Sequence, residues 1–324
     1  MENNANIRSI HEIVLSADIK EGIVEISPPH RWIMELRKIK LSNGKTLLLK
    51  IGFNDEWSDA SAILNQVAAT KMLCNIGMPQ PKVISYDSDK STHGFRYLLT
   101  EVHQGEKLGD VFQRSNAEKR IKIFETLGHT YSLIHSHKNS WSGVWDGSPN
   151  NKKYPIHPAR FYSGAEFHGG SGLLLYKSGK ISESHFKAIC NIWDENLPYL
   201  EQRSASLVHI SPFPWSIYMA DDTTGYSVVG LTSLGDFMWW DAMSDVAHLL
   251  YPPFMDITDE ERNGFLNHYN GEVDYKAITL YKLLNRICAL SNVYMAPVSP
   301  STQNEWIANE LVTLITIIDE INAS

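Results

Sequence analysis

Residues Leu207–Leu250 read LVHISPFPWSIYMADDTTGYSVVGLTSLGDFMWWDAMSDVAHLL, and the chemistry this stretch carries or lacks decides how the rest of the chain is read. It sets His209 near Ser211 and Ser216, with Ser233 and several aspartates downstream. A hydrolase would use such groups as base and nucleophile. Neither serine, however, sits in a G-x-S-x-G elbow, and a histidine two residues from a serine in sequence is not a triad geometry. Asp221, Asp222, Asp236 and Asp241 read most simply as turn or surface acids, with Asp236 the one close enough to Ser233 to offer a displaced carboxylate.

Toward the N-terminus the pattern is that of strands. Trp32–Leu36 and Lys45–Lys50 flank Ser42-Asn43-Gly44, and Asn-Gly is a strong hairpin signal because both residues tolerate positive φ. Leu64, Val67, Ala68 and Met72 then recur at helical spacing between Asp59 and Ile76, and Gly77 and Pro79 stop that helix. Pro81–Tyr86 and Phe95–Thr100 are two further strand-like runs around a polar turn. Beyond Gly105 the period becomes helical: Phe124, Leu127, Tyr131 and Ile134 share one face, as do Ile307, Leu311, Leu314 and Ile318 in a last helix opened by a Thr302-x-x-Glu305 capping box. The shift predicts two domains, 1–101 rich in β-structure and 102–324 mostly helical. Residues 138–184, rich in Gly, Ser, Asn and aromatic side chains, form an insertion in the second.

Composition narrows the function classes. The 324 residues are 43% hydrophobic and 20% charged, an ordinary globular balance. Lys+Arg 29 against Asp+Glu 37 gives a net charge of -8, which repels phosphate backbones and argues against a nucleic-acid partner. Cys74, Cys190 and Cys288 are widely spaced and form no CxxC pair, so neither a disulfide framework nor a zinc site is expected. No stretch resembles a signal peptide or approaches the ~20 apolar residues of a membrane span, so the expectation is a cytoplasmic protein with no membrane partner.

Local motifs carry a resemblance. Leu47–Lys50 resembles a strand whose lysine holds nucleotide phosphates, Gly77-Met78-Pro79-Gln80-Pro81 a G-x-P-x-P turn, and Leu98–Glu106 a hinge followed by its glycine turn. LGHTYSLIH at Leu127–His135 is similar to the helix preceding a substrate region. Leu207–Leu250 fits, without a gap, a frame of H-G-D-x-x-x-x-N loop, hairpin and I-D-W strand end, closing on a W-G-D-P-x-x-D-L-A-like run at Trp239, Asp241, Asp245, Val246 and Ala247. Over nearly its whole length the chain resembles the aminoglycoside phosphotransferase and choline kinase family. The resemblance implies an α+β, bilobal protein-kinase-like fold: a small β-rich N-lobe with one main helix and a larger, mostly helical C-lobe.

Within that frame the catalytic positions depart from the family. Ser211 stands where the resemblance implies the aspartate that accepts the substrate proton, Ser216 where it implies a metal-binding asparagine, and Ser233 where it implies the magnesium-binding aspartate. A neutral hydroxyl is no general base near neutral pH and does not match the hold of a carboxylate on Mg²⁺. Gln66 falls where the helix glutamate would pair with Lys50, and Ser27-Pro28-Pro29-His30 replaces a glycine-bearing phosphate loop. Prolines lack the N–H donors and the conformational range that cradle phosphates. Asp241 and Asp245 are retained, Asp245 matching an aspartate that buttresses the loop backbone.

The expectation is a pseudokinase-like protein that binds a small molecule or a protein partner in the inter-lobe or C-lobe cleft, with no metal and no cofactor. The alternatives are an enzyme turned to other small-molecule chemistry through His209, Ser211, His103 or Glu101, and an ATP- and Mg²⁺-dependent phosphotransferase with Asp236 as a displaced acid. Lys50, Gln66, Glu101 and His103 are the candidate nucleotide contacts, although Lys50 also reads as a solvated charge ending an edge strand. Trp141, Trp145, Tyr162, Phe167, Trp215 and Trp239 are the candidate walls of a ligand pocket, and those in the insertion read equally as anchors of that segment. His209 reads more simply as a packing and hydrogen-bonding residue than as a catalyst.

Overall fold

The structure is a computed structural model that describes residues 7–31, 34–52, 60–144, 156–222, 225–253, 255–295 and 300–323. The chain begins with α1 (Ile7–Ser16), β1 (Ile23–Ile26), β2 (His30–Arg31), β3 (Glu35–Leu41), β4 (Thr46–Gly52), α2 (Ala60–Asn75), β5 (Val83–Asp87), β6 (Arg96–Glu101), β7 (Glu106–Lys107) and α3 (Leu108–Arg114). It continues through α4 (Ala117–Ser136), β8 (Lys138–Asn139), β9 (Gly143–Val144), α5 (Pro158–Tyr162), a π-helical turn over Ser163–Gly169, α6 (Ser171–Lys177), α7 (Glu183–Glu201) and β10 (Ala205–Val208). The hairpin β11 (Ile217–Asp222) and β12 (Gly225–Leu231), a 3-10 turn over Leu234–Asp236 and β13 (Met238–Asp241) follow. The chain ends with α8 (Met243–Leu250), α9 (Asp259–His268), α10 (Tyr275–Met295) and α11 (Pro300–Ala323).

Two compact units result. The first combines the described residues up to Arg114 with Pro214–Phe237; the second combines those of Ser115–Val144, Tyr154–Phe213 and Met238–Ser324. In the first, the main sheet runs β1-β3-β4-β6-β5, with β2 also on β3. The β3–β4 hairpin turns at Gly44, whose φ of 84 is the conformation the Asn-Gly signal calls for. Alternation along β4 buries Leu47, Leu49 and Ile51 against Ile10, Ile13 and Val14 of α1, and turns Leu48 and Lys50 to the other face. β4 lies between β3 and β6, so Lys50 is on an interior strand rather than at an edge.

The first unit is larger than the expected 1–101. β7 pairs with β11, matching Glu106 to Met219 and Lys107 to Tyr218, and Gly109 N–H donates to the Pro214 carbonyl at 2.9 Å. Gly105, at φ 75, permits the approach, since a Cβ there would collide with the Met219 carbonyl. Hydrogen bonding therefore ties 106–109 and 214–219 together, a link that sequence distance conceals.

In the second unit a sheet ordered β8-β10-β13-β9 stands among the helices. Its core includes Trp193, Trp240, Tyr131, Tyr281, Phe124, Phe167 and Phe265. Helix starts are capped as side-chain chemistry requires: Asn116 accepts from Lys119 N–H, Ser182 from His185 N–H, and Thr258 with Glu261 forms a reciprocal capping box. α11 starts at Pro300, two residues before the expected cap at Thr302; proline suits the first helical turn because its missing N–H would have had no partner there. The three cysteines are free thiols.

Candidate functional site

In the first unit the residues of interest gather around the segment from β12 to the 3-10 turn. Lys50 is half-buried, and burial pushes its pKa down to about 8 against the opposing pull of the Asp236 carboxylate. The His103 ring stacks on Tyr218 with centroids 4.4 Å apart and lies over Gly230, where any Cβ would strike its Nδ1. Its pKa is lowered to about 4, first by burial and then by the Lys50 charge, so the ring is neutral near pH 7. Glu101 ends β6 half-buried, its N–H donating to the Lys82 carbonyl at 3.0 Å.

On α2 the residue turned toward the 3-10 turn is Asn65 rather than Gln66. Asn65 is 1% exposed, its amide reaches the Gly235 carbonyl at 3.5 Å, and its Oδ1 has no hydrogen-bond partner among the described residues. Gln80, in the G-x-P-x-P-like turn, accepts from Leu231 N–H at 3.2 Å. Asn65 and Gln80 were not singled out in the sequence; both are neutral amides, and only their burial against the β12 region marks them.

Ser233 occupies the left-handed region at φ 59 and ψ 28, with Asp236 N–H donating to its carbonyl at 3.0 Å and the Asp236 side chain exposed. Aspartate and asparagine tolerate this conformation better than most side chains. Ser216 is fully buried, and its carbonyl accepts from Thr232 N–H at 2.8 Å. Trp215 is 53% exposed.

In the second unit the loop after β10 hangs on one carboxylate. Asp245 accepts from the backbone N–H groups of His209 at 2.7 Å and Ile210 at 2.8 Å, and pairs with His135 Nε2 at 3.1 Å. Burial alone would raise its pKa, but the His135 hydrogen bond, with the nearby histidine charges and the His209 amide, carries it below the usual value. The Tyr131 hydroxyl meets His209 Nδ1 at 2.9 Å, and the Tyr269 hydroxyl meets His135 Nδ1 at 2.9 Å. His209 is thus fully buried among structural partners, and Ser211 follows it half-buried. Asp241 accepts from Arg203 Nε at 2.9 Å and Met243 N–H at 3.1 Å.

Ile210 is a departure that reading for chemistry-bearing side chains passed over. It stands at φ 66, a conformation that glycine adopts freely and a β-branched residue does not. It fills the glycine position of the H-G-D frame, and the backbone there keeps a glycine's shape.

Several of the aromatic residues expected to wall a pocket are core instead. Phe167 stacks on Trp193 at 4.6 Å in the interior, and Trp239 is 4% exposed within β13. Phe167 is buried by the π-helical turn that carries it, and Trp239 lies on β13, whose four residues are all buried. Tyr162 stacks on Trp240 at 5.2 Å, fixing its segment to β13. Trp141 is half-buried, and Trp145 lies outside the described residues. Among the described residues no group of three His, Cys, Asp or Glu side chains is placed to hold a metal ion, and no helix is long and apolar enough to cross a membrane.

No protein-family model and no curated protein sequence matches the chain. Solved structures do match in shape. The GDP complex of wild-type aminoglycoside 2'-phosphotransferase-IIIa superposes with a TM-score of 0.66 at 12% identity, covering 98% of this chain and 99% of that one. ADP-bound aminoglycoside phosphotransferase APH(2'')-Ib gives 0.64 at 14% identity over 97% and 99%. A thermostable mutant of aminoglycoside phosphotransferase APH(4)-Ia gives 0.64 at 12% identity over 92% and 95%. At such identities the likeness speaks for architecture alone, and from the β-rich first unit to the helical second the chain has the kinase-like fold of the aminoglycoside phosphotransferases.

Proposed function

We propose that this protein is a pseudokinase of the aminoglycoside phosphotransferase type, which keeps the scaffold of the fold, lacks the groups that transfer phosphate, and binds a small molecule. What supports the reading is the loop held by Asp245. Its backbone is anchored by hydrogen bonds of 2.7 and 2.8 Å, yet the side chain it carries is Ser211, which accepts no proton at neutral pH. The donor set does not fit a magnesium nucleotide: Ser216 and Ser233 supply hydroxyls where carboxylate or amide oxygens hold Mg²⁺, and neutral Asn65 is the α2 residue packed toward the 3-10 turn. We therefore assign no ATP, no metal and no phosphoryl transfer. A protein partner is the other occupant that such a scaffold accommodates.

A second reading, a phosphotransferase with a displaced acid, draws on the Asp236 carboxylate acting electrostatically on Lys50. A thermal-shift titration with ATP and GTP, each with and without Mg²⁺, separates the two. The pseudokinase reading expects no response; saturating ligand at ~100 times its dissociation constant would add about 2.7 kcal/mol and be plain in the unfolding midpoint. Stabilisation by Mg-ATP that is lost in both Lys50→Ala and Asp236→Ala would overturn the first reading and favour the second.

A further inference from the structure

A cavity of about 620 Å³ opens in the second unit, within the size range of small-molecule sites. It lies where α4 and α7 end, with Ser206 of β10, the β13–α8 junction and the segment after α9 completing its wall. Of the site residues expected from the sequence Asp241 reaches it, and His135, which also lines it, links it through Asp245 to the loop that carries Ser211.

Its polar groups are unequally satisfied. Arg203 is locked by two carboxylates, Nε on Asp241 at 2.9 Å and Nη1 on Asp274 at 2.7 Å, and the Tyr199 hydroxyl also donates to Asp274. Its Nη2 has no hydrogen-bond partner among the described residues. Lys138 Nζ donates to the neutral Ser206 hydroxyl at 2.7 Å, and no described carboxylate lies within ion-pair distance of it. The Ser204 hydroxyl is likewise without a partner among the described residues. A fixed guanidinium edge, an ammonium and a hydroxyl, all donors with capacity to spare, thus border one cavity.

We propose that this cavity binds a small molecule through a single oxyanion group, a carboxylate or a phosphate, anchored by Lys138 and Arg203. The two acids that hold Arg203 remove its freedom to rotate, so little ordering is lost when an oxyanion meets its remaining N–H groups. The two acids exceed the single charge of Arg203 and Lys138 brings that group level, so the oxyanion is held by directed N–H donors rather than by an excess of positive charge. Asp241 and Glu272, on the same wall, repel a polyanion and so restrict the ligand to a compact one. Tyr199 and Tyr269 offer its body ring surface.

The test is a thermal-shift titration of the full chain at constant ionic strength with inorganic phosphate in one arm and acetate in the other, using wild type, Lys138→Gln and Lys187→Gln. Lys187 is an exposed lysine on α7 paired with Glu183, and its variant controls for general anion effects. The expected result is a saturable rise in midpoint in wild type and Lys187→Gln, with the half-saturating concentration about tenfold higher in Lys138→Gln. A response to phosphate alone identifies a phosphate ligand, and a response to acetate alone a carboxylate. No saturable rise in either arm, or the same response in Lys138→Gln as in wild type, overturns the proposal.

Discussion

Ile210 holds a left-handed backbone at φ 66 that costs a β-branched side chain about 1–2 kcal/mol relative to its usual regions. Ile210→Gly is accordingly expected to raise the unfolding free energy by about 1 kcal/mol, the relief of strain exceeding the entropy glycine adds to the unfolded chain. Chemical denaturation of the two proteins measures it, and a loss of stability would show that the isoleucine side chain contributes more by packing than its backbone costs. Asp245 presents the opposite case. Its folded pKa lies below the ordinary 3.8, so its stabilisation is present above about pH 3.8 and is lost as pH falls below that value. Asp245→Ala is expected to cost about 3–5 kcal/mol at neutral pH, because two backbone donors and His135 lose their acceptor. The same variant should show a shallower decline of midpoint below pH 4 than wild type. At this scale the sequence was partly legible: Asp245 announced its buttressing role through a motif, whereas Ile210 was overlooked because an apolar side chain carries no chemical signal of the φ it occupies. Gln66 and Asn65 differ by about 100° around a helix, so a one-residue ambiguity in placing α2 exchanged a half-buried amide for a buried one.

Among elements, the contact of α4 with α9 is set by a missing side chain. A Cβ on Gly128 would collide with the Phe265 carbonyl and come within 3.2 Å of His268 backbone carbon, so the helices approach through glycine. Gly128→Ala should therefore destabilise by about 1–3 kcal/mol despite the better helix propensity of alanine, and a stabilised variant in a urea titration would contradict the packing. The elements that announced themselves were those with strong local signals, such as the β3–β4 hairpin at Gly44 and the amphipathic face of α4. The β7–β11 pairing left no such signal, because β7, a strand of two residues, has no periodicity to read and more than a hundred residues separate the partners. The same holds for Phe167 and Trp239, whose aromatic character fits a ligand wall and a core equally until their neighbours are known.

For the whole molecule, acid sensitivity should begin well above the carboxylate range. His103 and His248, each with its pKa pushed from 6.5 to about 4 and burial the first cause in both, are held neutral in the folded chain. The unfolded chain takes up protons below pH 6.5 and the folded chain does not until about pH 4, so stability present above pH 6.5 declines across that window. Unfolding midpoints at pH 7 and pH 5 should differ measurably, and His103→Gln should reduce the difference. A flat profile between those values would mean that both rings gain protons as readily folded as unfolded.

The interrupted path of the chain through the first unit has a consequence for its synthesis. The sheet from β1 to β6 is complete in sequence by Glu101, but the β11–β12 hairpin that pairs with β7 does not leave the ribosome until residues 115–213 have been made. At ~5–20 residues per second those residues take on the order of five to twenty seconds, long beside the folding time of a small sheet. During that interval the nascent chain displays β7 with no strand beside it and Gly105 with no carbonyl against it. The protein is thus born with an unfinished edge, and the hairpin that arrives to close it also brings Ser216.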